Sequence, residues 1–269
     1  AGNPYFIDLD ILRNDGLLTS EECESERAND IDYGKLYETR YNVLNKAYVR
    51  FSGRIPDSYY RFEEENRAWL EPYCLFMERK AQNGGAAWAE WNNRAFSQQG
   101  YEQLNFYAFL QFIFYTQWKA LKSYANAHGI KIIGDMPIYV APDSADVWSQ
   151  PQNFQLTETL LPLRVAGVPP DAFSETGQLW GNPLYDWGKM RQDGFSWWLE
   201  RFRHAFDLYD AVRIDHFRGF AAYYSIPYGE PTAKNGEWVL APGDELFRKV
   251  NQTFPSAEII AEDLGFLDK

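Results

Sequence analysis

Four short apolar segments, each with an acidic residue at or near its carboxyl end, constrain the fold of this chain most strongly. They cover residues 5–8, 131–135, 211–215 and 258–263. Uninterrupted apolar runs of this length are typical of strands in a parallel sheet that is covered on both faces. Buried helical turns would give a similar pattern, so periodicity alone leaves that alternative open. We interpret the four segments as parallel strands of an α/β fold.

Helical patterns fill the chain between the first and second of these segments. Apolar and aromatic residues form one helical stripe over residues 32–51, where Asp30 or Asp32 can cap the first turn. Further helices are predicted over 59–81 and 101–128. The third helix is apolar on nearly every side, which predicts that it is deeply buried.

These patterns divide the chain into two predicted parts. Residues 1–16 and 119–269 are expected to form part of a (β/α)8 TIM barrel, and residues 17–118 a large helical insertion. Residues 136–187 are rich in Pro, Gly, Asp and Asn and show little periodicity. Because a connection of this length inside a compact domain is usually a binding or lid loop, we expect one here. A last helix is predicted over 186–208.

The composition excludes several classes of partner and location. With 26 basic and 38 acidic side chains, the chain has a net charge of −12 at pH 7, so neither nucleic acid nor an anionic membrane is an expected partner. Cys23 and Cys74 cannot form a disulfide framework and indicate reduced thiols. The N-terminus lacks the features of a signal peptide, and the longest apolar run, 106–115, is too short to cross a bilayer. We therefore expect a soluble cytoplasmic protein.

Several common catalytic and binding motifs are missing from the sequence. It contains no GxGxxG dinucleotide fingerprint, no GxSxG nucleophile elbow and no Walker A motif. The three histidines, His128, His204 and His216, have no metal-ligand spacing among themselves or with the cysteines. The sequence therefore predicts no cofactor, no metal site and no phosphate chemistry.

Carboxylates at the ends of predicted strands are the candidate catalytic groups. In a barrel of parallel strands, the catalytic residues lie at the carboxyl ends of the strands. Asp135, Asp215 and Glu262 have this position on three different predicted strands, and Arg213 and His216 flank one of them. Each carboxylate alone could be a structural group that accepts a hydrogen bond from a loop amide. Three of them at one edge favour a catalytic site.

The neighbours of two of these carboxylates predict different charge states. Arg213 and Asp215 are two residues apart on one strand, so their side chains leave it on the same face. The guanidinium should therefore hold Asp215 ionised, as a nucleophile requires. Glu262 is followed by Asp263 and could face Asp215 across the barrel, and negative neighbours should raise its pKa toward that of a general acid. One ionised and one protonated carboxyl is the arrangement of a glycosidase.

Aromatic residues are concentrated in the irregular stretch 139–187. Rings with an apolar face and a polar tip suit the C–H faces of sugars, although most of them could simply pack the loop onto the barrel. Trp180 is the strongest candidate for a sugar contact, because small and polar residues surround it in the sequence. The seven rings are those of Tyr139, Trp148, Phe154, Phe173, Trp180, Tyr185 and Trp187.

Four motifs together resemble the amylomaltases, which are 4-α-glucanotransferases or disproportionating enzymes of glycoside hydrolase family 77. They are GDMPIYV at 134–140, GVPPDAFSETGQLWGNPLYDW at 167–187, VRIDHFRGF at 212–220 and AEDLG at 261–265. The motifs follow the family's order along nearly the whole chain. The resemblance implies a (β/α)8 barrel with helical insertions and a retaining double displacement on α-1,4-glucans, with maltooligosaccharides as substrates.

The resemblance also implies a role for individual residues. Asp215 matches the family nucleophile, and Glu262 matches the acid/base that protonates the leaving oxygen and later deprotonates the acceptor. Arg213 and His216 match residues that orient the nucleophile and hold the sugar, and Asp135 matches a residue that supports the same subsite.

Three further residues match positions in a glucan-contacting loop of the same family. They are Asp171, Gln178 and Trp180, all within the long motif. Their side chains are therefore expected to bind substrate rather than to take part in bond cleavage.

One family feature has no counterpart in this sequence. Enzymes of this clan use a third carboxylate, an Asp that follows a His, and no such dipeptide occurs here. We therefore expect an internal fragment whose partner is the remainder of its own barrel and which alone is inactive. A hydrolase of the α-amylase clan and an inactive glucan-binding fragment remain the alternative interpretations.

Overall fold

A computed structural model describes residues 1–24, 31–95 and 105–262 of the chain. The chain divides into two compact units by its internal contacts. The helical unit comprises Ala1–Gly85 and Ser97–Leu121, and the sheet unit comprises Ala86–Phe96 and Lys122–Lys269.

Five helices occur up to the end of the helical unit in the described residues. They are α1 (Leu9–Asn14), α2 (Ser20–Glu24), α3 (Tyr33–Ser52), α4 (Asp57–Gln82) and α5 (Phe106–Ala127), the last of which continues past Leu121. The helices predicted over 32–51 and 59–81 are thereby confirmed. Asp32 caps α3 by accepting a hydrogen bond from the backbone N–H of Lys35, whereas Asp30 lies outside the described residues.

The burial of the first half of α5 agrees with its sequence pattern, whereas most of residues 116–127 are exposed. The buried residues from Ala108 to Ile113 include both apolar side chains and the amide of Gln111. Burial on nearly every side, which an almost uninterrupted apolar sequence predicts, therefore holds for this part of the helix, and it does not extend to Leu121 and Tyr124, which are 54% and 66% exposed. Residues 101–104, which we had expected to begin this helix, lie outside the described part of the chain.

The prediction of a strand over residues 5–8 is wrong. The chain instead forms a 3-10 turn over Pro4–Phe6, and Asp8 caps α1 by accepting hydrogen bonds from two backbone N–H groups. The amide of Gln111 pairs with the backbone N–H and C=O of Gly2, and Gln117 pairs in the same way with Asp8. These side chains supply the hydrogen bonds that a neighbouring strand would otherwise provide.

The first residues of the chain also belong to a different unit from the one predicted for them. We expected residues 1–16 to group with the barrel strands, but their contacts group them with the helices. The two glutamine side chains on α5 account for this grouping, because they hold the N-terminal segment against that helix.

Seven strands and four further helices form the sheet unit in the described residues. The strands are β1 (Ile133–Pro137), β2 (Arg164–Val168), β3 (Gln178–Pro183), β4 (Ala211–Asp215), β5 (Ala222–Pro227), β6 (Glu237–Leu240) and β7 (Glu258–Ala261). The helices are α6 (Ala145–Ser149), α7 (Trp187–Gln192), α8 (Ser196–Leu208) and α9 (Gly243–Thr253). Single 3-10 turns lie at Trp88–Glu90, Pro151–Asn153, Phe217–Phe220 and Ala233–Asn235.

Three of the strands form a parallel sheet in the order β1-β4-β7. These strands confirm the predictions at 131–135, 211–215 and 258–263. Asp135 pairs with Arg213, and Arg213 pairs with Ile260 on the other side. Helices α8 and α9 each precede one of the later strands in the chain, so this sheet has the alternating order of an α/β fold.

A second, antiparallel sheet was not predicted. Its order is β3-β2-β5-β6, and β2 and β3 lie within residues 136–187, which we had interpreted as an irregular loop. The buried side chains of Val165, Tyr224 and Ile226 form part of its core. The helix predicted over 186–208 is also interrupted, because Gly194 and Phe195 have positive φ values of 74° and 61°.

Within the described residues, no helix is both long enough and apolar enough to span a membrane.

Candidate active site

The parallel sheet brings the three predicted carboxylates together around one arginine. Asp135 on β1 lies opposite Arg213 on β4, and Asp215 follows two residues later on the same strand. Glu262 directly follows β7, where its backbone N–H donates to the carbonyl of Ile214 at 3.1 Å. Because alternate residues of a strand share a face, all four side chains leave the sheet on the same side. Asp135 lies two residues before the end of its strand rather than at the end.

Arg213 contacts all three carboxylates directly. Its Nη1 lies 2.7 Å from Oδ1 of Asp135, and its Nη2 lies 2.9 Å from Oε1 of Glu262 and 3.2 Å from Oδ1 of Asp215. Hydrogen bonds between ionised groups are roughly twice as strong as neutral ones. One positive charge is nevertheless divided among three acidic groups here, and Asp215 has the longest of the three contacts.

Asp215 and Glu262 share a side-chain hydrogen bond. This hydrogen bond, followed by desolvation and by the negative charge of Glu262, raises the pKa of Asp215. The pKa of Glu262 is lowered, first by a hydrogen bond from the backbone N–H of His216 and then by the contacts with Asp215 and Arg213. Two carboxyl groups in contact titrate as a coupled pair rather than independently.

These pKa directions are the opposite of those predicted for the two carboxyls. The sequence predicted that Arg213 would keep Asp215 ionised and that negative neighbours would raise the pKa of Glu262. The reversal has a local cause: Glu262 accepts the N–H of His216 at 2.7 Å and lies closer to the guanidinium than Asp215 does. Asp263, the expected negative neighbour of Glu262, lies outside the described residues.

His216 contributes its backbone through an unusual conformation. Its φ of 52° is in the left-handed region, which costs about 1 kcal/mol or more for a residue other than glycine. Its ring is largely buried, and desolvation lowers its pKa. Among the described residues, Nε2 of this ring has no hydrogen-bond partner. A buried polar atom without a partner is rare in native structures, so this nitrogen marks a place where a further hydrogen-bonding group is missing.

Trp180 lies against this histidine. The ring centroids of Trp180 and His216 are 4.9 Å apart in an edge-to-face arrangement, and the indole remains 37% exposed. Its Nε1 donates to Oε1 of Gln178 at 3.0 Å. Trp180 and Gln178 thus join the group of predicted residues, and an exposed indole face beside the carboxylates suits a sugar ring.

Asp171 makes contacts of a different kind. Its Oδ1 accepts the backbone N–H groups of Phe173 and Ser174, each at 2.8 Å, and these contacts shape the turn of its own loop. The turn leaves the side chain of Phe173 98% exposed. The structure therefore gives Asp171 a turn-forming contact and does not bring it into the cluster around Arg213.

The close approach at Gly219 is a feature that the sequence reasoning missed. A Cβ added at this position would lie 2.6 Å from Cδ1 of Ile138 and 3.2 Å from Cδ2 of His216. Only glycine fits without displacing its neighbours, so it sets the spacing between the segment after β1 and the histidine. The glycine in the RIDHFRG motif is the sequence signal that could have identified it.

In the part of the chain that the structure describes, no group of three or more His, Cys, Asp or Glu side chains is arranged to hold a metal ion. The three acidic side chains of the site instead share the single positive charge of Arg213.

The model of glycoside hydrolase family 77, described as 4-alpha-glucanotransferase, matches residues 1–269. The chain belongs to this family. The 4-alpha-glucanotransferase of Clostridium butyricum is 48% identical over 99% of this chain and 58% of its own length. That of Thermus thermophilus is 45% identical over 99% of this chain and 56% of its own length. The chain thus spans between half and three-fifths of the length of these family 77 relatives.

Solved structures of family 77 enzymes confirm the fold. The amylomaltase from Streptococcus agalactiae in complex with acarbose has a TM-score of 0.94 and 39% identity, over 100% of this chain and 58% of its own. The amylomaltase from Corynebacterium glutamicum has a TM-score of 0.76 over 99% of this chain and 38% of its own, and at 19% identity it supports the fold alone. The predicted α/β fold, part of a (β/α)8 barrel with a helical insertion, is therefore confirmed, as is the resemblance to amylomaltases.

Proposed function

We propose that the protein carrying this chain is a 4-α-glucanotransferase that moves α-1,4-glucan segments between maltooligosaccharides. The observation that carries this proposal is the convergence of Asp215 and Glu262 on Nη2 of Arg213, at 3.2 and 2.9 Å. Its membership of family 77 and its relatives named 4-alpha-glucanotransferase support the same reaction. Glucans of the kind found in starch and glycogen are the proposed substrates, and the cytoplasm is the proposed location.

In the first proposed step, a carboxylate oxygen of Asp215 attacks the anomeric carbon of a glucose unit. The glycosidic bond breaks, its electron pair passes to the leaving oxygen, and Glu262 gives that oxygen a proton. A covalent glycosyl-enzyme and a shortened glucan result. In the second step Glu262 takes the proton of an acceptor hydroxyl, whose oxygen attacks the same carbon and releases Asp215. Two displacements retain the configuration of the bond.

This reaction needs the proton on Glu262 when the donor glucan is cleaved. The pKa directions favour it on Asp215 in the hydrogen-bonded pair. Because Asp215 and Glu262 share a hydrogen bond, the proton can transfer directly from Asp215 to Glu262. Retaining enzymes hold their two carboxyl groups about 5–5.5 Å apart, so we propose that the sugar enters between Asp215 and Glu262 and separates them as the proton transfers.

The remaining predicted residues are proposed to position the sugar and the nucleophile. Arg213 orients Asp215 and is itself anchored by Asp135. The free Nε2 of His216 and the exposed face of Trp180 are proposed to contact the glucose unit at the cleavage point. Gln178 holds the indole through its Nε1.

Asp171 is proposed to act on substrate indirectly. It shapes the turn that presents Phe173, so its expected contribution to glucan binding passes through that loop.

Two alternatives differ from this proposal in what happens to the glycosyl-enzyme. A hydrolase would use the same pair but transfer the sugar to water, and an inactive fragment would bind glucan without cleavage. The preference for transfer rests on the relatives named 4-alpha-glucanotransferase. We also propose that the remainder of the barrel, corresponding to the part of the relatives that this chain does not cover, is needed for turnover.

Incubation of the full-length protein with maltotriose separates these functions. Transfer produces glucose together with maltooligosaccharides longer than the substrate. Products that never exceed maltotriose would instead identify a hydrolase. Calorimetric binding of maltotriose by the 269-residue chain, without products, is the expected result for the isolated chain, and measurable turnover by it would contradict the proposed need for the remaining barrel.

A further inference from the structure

We infer that Arg201 on α8 is a positioning residue that holds the segment after β1 and, through it, the ring of Trp180. This inference rests on the proposed function, since it assigns Trp180 a sugar contact. The segment in question comprises residues 137–140, which leave the parallel sheet directly beside the strand that carries Asp215.

Side chains donate hydrogen bonds to three carbonyls of this segment, those of Pro137, Ile138 and Val140. Arg201 donates through Nη2 to the carbonyl of Pro137 and through Nη1 to that of Ile138, the latter at 3.1 Å. Tyr185 donates its hydroxyl to the carbonyl of Ile138 at 2.6 Å, and Asn182 donates to that of Val140 at 2.8 Å. Because buried carbonyls need donors, these three side chains determine where the segment lies.

The geometry requires an arginine at the centre of this arrangement. Two nitrogens of one planar group reach two consecutive carbonyls, and Nη1 also donates to the hydroxyl of Tyr185 at 3.3 Å. The guanidinium lies over the rings of Trp197 and Trp198, at 5.2 and 5.1 Å from their centroids. A lysine at the same place has no rigid fork and no planar face to stack.

The held segment leads directly to the candidate site. Tyr139, in the middle of it, stacks on Tyr185 at 5.9 Å and contacts Trp180 at 6.1 Å between ring centroids. Trp180 in turn lies against His216 at 4.9 Å. Loss of the Arg201 fork should therefore let Tyr139 shift and should misplace the indole. Small displacements of this kind are costly, since a misplacement of about 1 Å can lower activity about 100-fold.

A double-mutant cycle in the full-length protein tests this inference. We expect Arg201→Met, which keeps the length and apolar packing of the side chain, to raise the KM for maltotriose about tenfold with kcat within about threefold. In a Trp180→Ala background the same change should raise KM further by less than about twofold, because coupled residues are not additive. Arg201→Lys should not restore the normal KM.

Arg191→Met is the matched control, because it removes an arginine of the same unit that pairs bidentately with Glu245. Its effect on KM should be small and independent of Trp180. Tyr185→Phe removes only one donor to the segment and provides a milder variant, with the same coupling, if Arg201→Met does not fold.

Three results would overturn the positioning role. They are an unchanged KM in both Arg201→Met and Tyr185→Phe, an unchanged KM in Trp180→Ala, or fully multiplicative effects of Arg201→Met and Trp180→Ala. Failure of the unaltered full-length protein to turn over maltotriose would instead overturn the proposed function.

Discussion

Each of the two units contains an arginine in contact with carboxylates, but the number of carboxylates that contact the arginine differs. In the helical unit, Arg50 on α3 contacts Glu22 on α2 at 2.8 and 3.1 Å, and Lys46 lies 3.8 Å from the same carboxylate. The backbone N–H of Thr19 donates to the same carboxylate at 2.9 Å. In the sheet unit, Arg213 is divided among three carboxylates.

The pKa values of the two sites differ accordingly. The Arg50 hydrogen bonds, with that of Thr19, lower the pKa of Glu22 to about 2, so its charge is stable at every ordinary pH. Beside Arg213 the pKa of Asp215 is raised instead, by its hydrogen bond with Glu262, by desolvation and by the negative charge of Glu262. A carboxylate with a cation of its own stays ionised and stabilises the fold. Where several carboxylates share one cation, an acidic group remains that can hold and release a proton.

The largest expected effect is that of Asp215→Asn on activity. Removal of the proposed nucleophile should lower the turnover of maltotriose by the full-length protein about 1,000-fold or more. The Asp215→Asn substitution should not lower the melting temperature, as the loss of a stabilising ion pair would. A raised pKa means that ionisation of Asp215 opposes folding, so the neutral variant should unfold at an equal or higher temperature at pH 7.

The pH dependence checks the sign of this stability effect. The stabilising contribution of a carboxyl with a raised pKa is present below its unfolded value of 3.8 and is lost as the pH rises through its folded value. Any advantage of Asp215→Asn should therefore shrink as thermal unfolding is followed from pH 7 toward pH 4. Near-normal turnover, or a large loss of melting temperature at pH 7, would show that Asp215 belongs with the structural ion pairs.

The next largest effect is expected for Glu262→Gln, and it depends on the leaving group. Turnover of maltotriose, whose leaving oxygen needs a proton, should fall about 100- to 10,000-fold. Glucosyl fluoride needs no proton to leave, so mass spectrometry should still detect the glycosyl-enzyme formed with that donor. Loss of the Glu262 charge should also free Arg213 for Asp215 and lower the pKa of that nucleophile. An equal loss of reactivity with maltotriose and with glucosyl fluoride would show that Glu262 is not the acid/base.

The sequence predicted how the site comes together but not its charge states. Parallel strands bring their carboxyl ends to one edge, so Asp135, Asp215 and Glu262 could be expected to converge from their positions alone. The pKa directions of Asp215 and Glu262 depend on contacts that differ by only a few tenths of an ångström, 2.9 against 3.2 Å from Arg213. It also depends on the left-handed backbone of His216, which no periodicity indicates.

Long-range pairing explains the elements of the fold that were missed. Strand β2 pairs with β5, so that Val165 lies opposite Ile226, which is 61 residues further along the chain. Its register also shifts between Val165 and Gly167, which obscures the alternation of a strand. The prediction of a strand over residues 5–8 is wrong for a related reason. Gln111 and Gln117, which lie far along the chain, form hydrogen bonds with the backbone of this N-terminal segment.

The smallest expected effect is the loss of the matched ion pair in Glu22→Gln, measured as thermal and urea unfolding. This substitution should leave the turnover of maltotriose unchanged and lower the free energy of unfolding by about 0.5–1 kcal/mol at pH 7, since Arg50 is partly exposed and solvent screens the pair. Because the pKa of Glu22 is lowered to about 2, its contribution is complete above the unfolded value of 4.5 and is lost as the pH falls toward 2. The variant and the unaltered protein should therefore converge in stability between pH 4.5 and pH 2. A difference in unfolding free energy that persists at pH 2 would show that Glu22 stabilises the fold by packing rather than by charge. The contrast between Glu22 and Asp215 would then not be electrostatic.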